Sequence, residues 1–349
     1  MKLYLRMSGQ GRWNQGVATM KGKLFIFLIC LPFFVGCSGG YVISALPDLG
    51  GAVGRAMDIN NRGEIVGYCE TGEGDIHAVI WDGSDVTDLG TLGGDDSYAF
   101  GINDEGVVVG YSRTAEGKAH AFIWQDGIMT DIHDPDLPPI NESYARAINS
   151  DGLVAGTVGY GGVVWYTPSE YVWVIEGSGL EGPSDAHDIN DSNQAVGWHH
   201  SSDQAYLWED GSMVILPHLG IDRSRAYGIN NPGQVVGSVV DPDTHLQQAA
   251  IWEGGGPPVL LGSLGGSYGN ANDINDTGTI VGMAKKADDA TVPFYYKRSD
   301  AEMLELMNLG SGVARAVNNS GVIVGYGVNA AGDDKPVKWV WRRVRWPWE

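Results

Sequence analysis

The sequence predicts an all-β fold: a seven-bladed β-propeller with four antiparallel strands in each blade. Three observations carry this. A nine-residue phrase recurs seven times along the 349 residues. Four strand-like segments fit between successive copies. The fourth strand missing after the last copy is found ahead of the first.

The phrase reads INNRGEIVG at 59–67, INDEGVVVG at 102–110 and VNNSGVIVG at 317–325, with four further copies between them. Aligned on Asn60, Asn103, Asn149, Asn190, Asn230, Asn275 and Asn318, the copies are 43, 46, 41, 40, 45 and 43 residues apart. That period is in the range of a four-stranded propeller blade.

The first strand of each unit is the segment Ala-x-x-(Ile/Val)-Asn, whose Ala stands four residues before the Asn in all seven copies, from Ala56 to Ala314. The chain must then reverse direction within a few residues. Asn opens such a turn by hydrogen bonding to backbone further along. The residue three positions later is Gly in six units and Asn193 in the other, which calls for positive φ. A type I turn closed by a left-handed residue is expected, with Pro232 a misfit at its second corner.

The second strand carries two adjacent apolar residues, such as Ile65 and Val66, and ends on a Gly seven positions after the Asn, from Gly67 to Gly325. Neighbours on a strand point to opposite faces, so both faces must be covered, as they are between radially packed blades. The third strand holds a large aromatic: Trp81, Trp124, Trp165, Trp208, Trp252, Tyr296 or Trp339. Buried between blades, each stabilises by roughly 1.5–3 kcal/mol. The fourth strand is of the type VTDLGTL (86–92). Length changes gather between the terminal Gly and the aromatic, so the loops of one rim vary while the Asn hairpins of the other stay constant. A scaffold with one working face has this pattern.

The last unit has its first three strands and then runs into RRVRWPWE with no fourth. The segment YVISALPDLGG (41–51) matches a fourth strand and precedes the first unit. Pairing it with the last blade removes two open sheet edges. The propeller domain is therefore expected over 41–342, with 343–349 as a C-terminal tail.

Residues 1–36 differ from the rest: they hold five basic residues, no acidic ones, and an apolar run that ends at Cys37. The run is short for a membrane span and has the shape of an export signal. Its last four residues, Phe34-Val35-Gly36-Cys37, resemble a bacterial lipobox, with lipid expected on Cys37 and 37–40 as a short linker; ordinary signal cleavage is the alternative. Met20 is a candidate for the true start, since MKGKLFIFLICLPFFVGC is a compact signal by itself. Of the three Cys, only Cys69 then lies in the folded region, so no disulfide framework is expected.

The whole chain carries 22 Lys and Arg against 43 Asp and Glu, a formal charge of −21, which becomes −26 without residues 1–36. Such a surface repels phosphate backbones and anionic membranes, so no nucleic-acid partner is expected, and membrane contact is expected only through the lipid. Polycations, divalent ions and neutral sugars remain open.

The triplet His120-Ala121-Phe122 with Trp124, the run LGTLGG at 89–94 and the seven Asn phrases resemble the HAF repeat family of bacterial extracellular repeats. The triplet is degenerate elsewhere, as His77-Ala78-Val79, Gln204-Ala205-Tyr206 and Gln248-Ala249-Ala250. The resemblance covers about 41–342 and implies export and propeller-like architecture. It implies no defined activity, and so no catalytic residue.

No P-loop, zinc-ligand set or nucleophile elbow is present, and neither a cofactor nor a metal is expected. The pair His199-His200 would point apart on a strand, and the acidic tips Asp134-Pro135-Asp136 and Asp241-Pro242-Asp243 read as solvated turns. One column stands out: the position three before each repeat Asn, which is taken to begin strand one near the variable rim. It reads Met57, Phe100, Arg146, His187, Tyr227, Asn272 and Arg315, with Asp58, Asp188 and Asp273 each one residue further on. Arg146, His187, Tyr227, Asn272 and Arg315 together suit a sugar or an anionic group; otherwise the column is a variable position exposed at a tunnel rim. The expected protein is a monomeric, exported envelope lipoprotein that binds an extracellular ligand or an envelope protein. The alternatives are a glycosidase or lyase using carboxylates on the loop face, and a purely structural surface protein.

Overall fold

The computed structural model describes residues 39–134, 142–167, 170–174, 182–299 and 301–343. The signal segment, Cys37, Asp136 and the tail beyond 343 lie outside the described residues. Among the described residues every regular element is a β-strand, and the strands form a β-propeller.

The first unit shows how the repeat folds. Gly50–Ile59, Ile65–Thr71, Ile76–Asp82 and Asp85–Asp88 pair in order, each antiparallel to the one before. The same order recurs in four more separate four-stranded sheets, where seven were expected. The strands from Ser224–Ile229 to Glu302–Glu305 form a single eight-stranded sheet. One parallel pair, Gln247 with Tyr268, joins its halves. Beside the join, the Gln247 amide donates across it to Asn270 Oδ1 at 2.7 Å and within its own half to Ser238 Oγ at 3.0 Å.

The strand Gly39–Ala45 lies antiparallel against Asp334–Arg343, with Val42 opposite Val340 and Ile43 opposite Trp339. It completes the sheet formed by the last three strands. It starts two residues earlier than expected, so Gly39 and Gly40 belong to the strand and not to a linker.

Packing between sheets follows the adjacent apolar pairs. Ile65 faces one neighbour, in a cluster with Trp81, Leu46, Ala316 and Val324; Val66 faces the other, with Ala78, Leu89, Ala99 and Phe122. Trp81, Trp165, Trp208, Trp252 and Trp339 are at most 2% exposed, whereas Trp124 and Tyr296 are half-buried. Three indoles also tie one unit to the loop before it: Trp81 Nε1 donates to the Pro47 carbonyl, Trp252 to Pro217 and Trp339 to Met307, at 2.6–2.7 Å.

The nine-residue phrase forms the expected hairpin. In the first unit Gly63 N donates to the Asn60 carbonyl at 3.1 Å, Asn60 N donates to Glu64 O at 3.0 Å, and Gly63 has φ 89°. Asn60 Oδ1 accepts from Arg62 N and Glu64 N. Pro232 is accommodated, with the Gly233-to-Asn230 bond intact at 2.9 Å. Because Pro has no N–H, position 232 donates nothing to Asn230 Oδ1, which accepts from the Gln234 N–H.

The Asn side chains also do something that sequence reasoning did not foresee. Each Nδ2 donates to the main-chain carbonyl of the repeat Asn in the next unit. The bonds run from Asn60 to Asn103 and through Asn149, Asn190, Asn230 and Asn275 to Asn318, at 2.8–3.1 Å. Asn318 then donates back to the Asn60 carbonyl at 3.1 Å. All seven Asn are at most 6% exposed, so the ring is a buried, satisfied polar network.

Candidate functional site

The inner strand of every unit carries a β-bulge at one register position. In the first unit Ala56 pairs Gly67 and Asp58 pairs Val66, so Met57 is the extra residue. The same shift leaves Phe100, Arg146, His187, Tyr227, Asn272 and Arg315 unpaired in the others. A bulge bends its strand and re-aims a side chain. Here it turns seven side chains onto the wall of one axial cavity of about 290 Å³.

The terminal Gly of strand two makes the bulge possible. A Cβ on Gly67 would stand 2.0 Å from the Arg55 carbonyl oxygen, and the six equivalent Gly would meet the equivalent carbonyl at 1.8–2.1 Å. The bulged strand and its partner thus approach closer than any side chain permits. The column was expected to begin strand one near the rim. It instead lies late in the strand, Arg146 being fourth of the six residues Ser143–Ile148. The strand extends back beyond the repeat Ala through residues that vary between units, which is why the pattern did not reveal its start.

All five expected ligand residues, Arg146, His187, Tyr227, Asn272 and Arg315, are on this wall. Arg146 and Arg315 each have a buried Nε with no hydrogen-bond partner among the described residues. Their guanidinium carbons lie 5.9 Å from the ring centres of Phe100 and Tyr326 respectively. Burial, reinforced by the positive charges of Arg146 and Arg315, holds His187 well below the usual imidazole range, so it is neutral. His187 packs 4.7 Å from Trp198 and 5.4 Å from Tyr227. Asn272 is partly committed, donating to the Ala314 carbonyl at 2.8 Å.

Asp58, Asp188 and Asp273 line the floor of this cavity and also the wall of a second one, about 180 Å³, on the side of the Asn ring. They therefore separate the two. Each carboxylate spends both oxygens on backbone: Asp58 accepts from Ile59 N and Ile102 N, Asp188 from Ile189 N and Ile229 N, Asp273 from Ile274 N and Val317 N. The second acceptor bond in each case crosses to the next unit. Burial outweighs these bonds and raises all three carboxyls. Asp58 is pushed up to about 6 and Asp273 to about 7, while Asp188, facing both other carboxylates, is well above the usual range. At the equivalent place the other units have Gly101, Ala147, Gly228 and Ala316, where the next unit's backbone comes close: a Cβ on Gly101 would meet Ala147 Cα at 2.9 Å.

Sequence reasoning missed the aromatic collar above the bulges. Tyr98 stacks on Tyr111 at 4.8 Å, with Tyr68 and Tyr144 edge-on at 4.9 Å from either partner. Trp198, Tyr227 and His200 form a second group, and Arg55 lies 4.2 Å from the Tyr326 ring centre. The signal was legible as a column: the residue just after each terminal Gly is Tyr68, Tyr111, Trp198 or Tyr326 in four units.

The other candidates are structural. His200 Nε2 bonds Asp185 Oδ2 at 2.9 Å, and His199 Nδ1 bonds Ser202 Oγ at 3.0 Å. Among the described residues no cluster of three His, Cys, Asp or Glu side chains is placed to hold a metal. Asp241 closes its own turn by accepting from Asp243 N and Thr244 Oγ1. Cys69 is fully buried in mid-strand, and burial pushes its thiol up to about 12. In the triplet His120-Ala121-Phe122, His120 Nδ1 bonds Asp131 Oδ2 at 2.7 Å, tying strand three to strand four as His77 does with Asp88, while Ala121 and Phe122 are fully buried.

No protein-family model matches this chain, and no curated protein does. Solved structures share its fold. The extracellular domain of a B. thetaiotaomicron one component system superposes with a TM-score of 0.51 at 10% identity, covering 85% of this chain and 39% of that one. Pyrococcus horikoshii acylaminoacyl peptidase superposes with a TM-score of 0.50 at 12% identity, covering 82% of this chain and 51% of that one. The chain thus spans about half or less of the length of either. A Xanthomonas campestris gluconolactonase aligns with a TM-score of 0.42 at 10% identity, covering 72% of this chain and 91% of that one. At 10% and 12% identity, the first two likenesses show the fold alone.

Proposed function

We propose that this protein is an exported binding propeller of the bacterial cell envelope, held to the membrane by a lipid on Cys37, which takes a sugar-type ligand in its axial cavity. In this reading the eight-stranded sheet counts as two blades joined by one pair, giving seven in all; the closed ring of seven Asn supports that count. The acidic composition and the signal-like residues 1–36 support export. Membership of the HAF repeat family fits the same picture.

One observation carries the binding reading: a bulge at the same register in seven units delivers seven side chains to one cavity wall. Polar groups placed among half-buried aromatic rings in a concave site suit a polyhydroxylated ligand. A glycan array probed with the purified protein tests this. Binding that survives Phe100→Ala together with Tyr227→Ala would place the ligand elsewhere, and a blank array would remove the sugar reading.

A second reading rests on the raised carboxyls of Asp58, Asp188 and Asp273 at the cavity floor, which suit a general acid in a glycosidase or lyase. Their commitment to backbone N–H groups favours a structural role instead. Release of reducing ends from a bound polysaccharide, abolished by Asp188→Ala, would favour the enzyme.

A further inference from the structure

Resting on the binding reading above, we infer that the axial cavity selects an acidic sugar, a hexuronate whose carboxylate is received between Arg146 and Arg315. The chain has 43 acidic residues against 22 basic ones, so an arginine within it readily finds a carboxylate. Arg55 pairs with Asp334, Arg225 with Asp203, and Arg298 with Glu253. Arg146 and Arg315 do not: Arg146 feels the charge of Asp185, but the oxygens of Asp185 bond Thr157 and His200 instead. Among the described residues neither makes an ion pair, and the Nε of each is buried without a hydrogen-bond partner. A guanidinium removed from water and left unpaired is costly, and the cost is offset when a ligand supplies the missing acceptor.

The carboxylates within the cavity do not supply it. Both oxygens of Asp58, Asp188 and Asp273 are occupied by main-chain N–H groups. The other polar wall groups are uncharged: His187 is neutral, and Tyr227 and Asn272 carry no charge. The wall therefore offers two positive groups of fixed position with open donors, set among groups that donate and accept to hydroxyls. A guanidinium is planar and matches a carboxylate better than a single hydroxyl.

The rest of the site favours a sugar ring over a bare anion. Phe100 lies beside Arg146 and Tyr326 beside Arg315, while Trp198 and Tyr227 pack around His187. A pyranose presents an apolar face to such rings and hydroxyls to Asn272 and Tyr227. A cavity of about 290 Å³ is at the small end of ligand sites, the size for a monosaccharide or the terminal residue of a chain.

The test is calorimetry on the full chain with glucuronate and galacturonate, their neutral parents glucose and galactose, acetate and inorganic phosphate as simple anions, and a short oligogalacturonide. The uronates are expected to bind at least tenfold more tightly than their neutral parents and than either simple anion. Arg146→Met with Arg315→Met should abolish that preference, the uronates falling to the affinity of their neutral parents on the same variant. Met stands at the equivalent place as Met57, so the fold already tolerates it there, and an unchanged melting temperature checks this. Tight binding of the oligogalacturonide with weak binding of the free acids still supports the inference and makes a polymer end the source. Equal affinity for neutral and acidic sugars overturns the inference while the binding reading stands. Acetate or phosphate binding as tightly as the uronates also overturns it. If no sugar of either kind binds, both readings fall.

Discussion

The side-chain amide of Asn318 donates to the main-chain carbonyl of Asn60, 258 positions earlier, at 3.1 Å. The six other repeat Asn make the same bond to a residue 40 to 46 positions later. One bond type thus serves every junction between units, including the one that closes the circle. The ring also gives the repeated phrase a second purpose, since a single Asn opens the hairpin with its oxygen and grips the next unit with its nitrogen.

Replacing one Asn should therefore damage two units. Asn103→Ala removes the buried bond to Asn149 O and takes the acceptor from the N–H groups of Glu105, which is exposed, and half-buried Val107. A loss of about 2–3 kcal/mol is expected, as for a buried polar network left incomplete. Urea unfolding measures it; a loss below about 0.5 kcal/mol would show that the ring is energetically idle.

The two repeated Gly should respond differently to substitution. Gly63 has φ 89° with open space where a Cβ would go, so its requirement is backbone conformation alone. Gly63→Val should cost about 1–2 kcal/mol and Gly63→Asn much less, since Asn193 already holds φ 60° at the equivalent position. Gly67→Ala forces a contact of 2.0 Å with the Arg55 carbonyl and should cost more than about 3 kcal/mol. Equal costs at the two sites would contradict the bulge account.

Stability should fall as pH rises through the carboxyl trio. An acid whose folded pKa is raised holds its proton more tightly when folded, so its stabilisation is full below the unfolded value and is lost as pH rises past the folded one. For Asp58 and Asp273 that window runs from about 4 to about 6 and about 7. Melting temperature should thus drop between pH 5 and pH 8. Asp188→Ala, which mimics Ala147 and Ala316, removes the most strongly raised of the three carboxyls and should shrink the drop. A drop of the same size in the variant would mean that general charge repulsion is the cause.

Cys69 should be inert in the folded protein. Its thiol is fully buried and raised to about 12, leaving almost no thiolate at neutral pH. Iodoacetamide followed by peptide mapping should show Cys69 labelled only after addition of denaturant. Labelling under native conditions would reveal local opening of the strand Ile65–Thr71.

The hairpin was legible because it is local: Asn60, Gly63 and Glu64 settle it within five residues. The inter-sheet packing of Ile65, Val66 and Trp81 was legible because it follows from side-chain size and alternation. The pairing of Val42 with Val340 was legible because a strand was missing at one end of the repeat and present at the other. Arg146, His187, Tyr227, Asn272 and Arg315 could be named as a column, but their position could not be placed. The Gly at the end of strand two held the unread clue to the bulge, since a Gly within a strand signals close backbone approach.

By itself, the sequence determined the period, the turns, the inward and outward faces, and the strand that meets the last one. These depend on contacts between near neighbours, or on counting copies. Only the tertiary structure decided that Asn amides reach the next unit, that Gln247 lies at the join of the eight-stranded sheet, that three carboxyls share the channel floor, and that two arginines face a cavity without hydrogen-bond partners for their Nε among the described residues. The physical reason is distance along the chain. Such contacts link residues 23 to 258 positions apart, and the curvature that brings them together belongs to the whole ring, not to any segment of it.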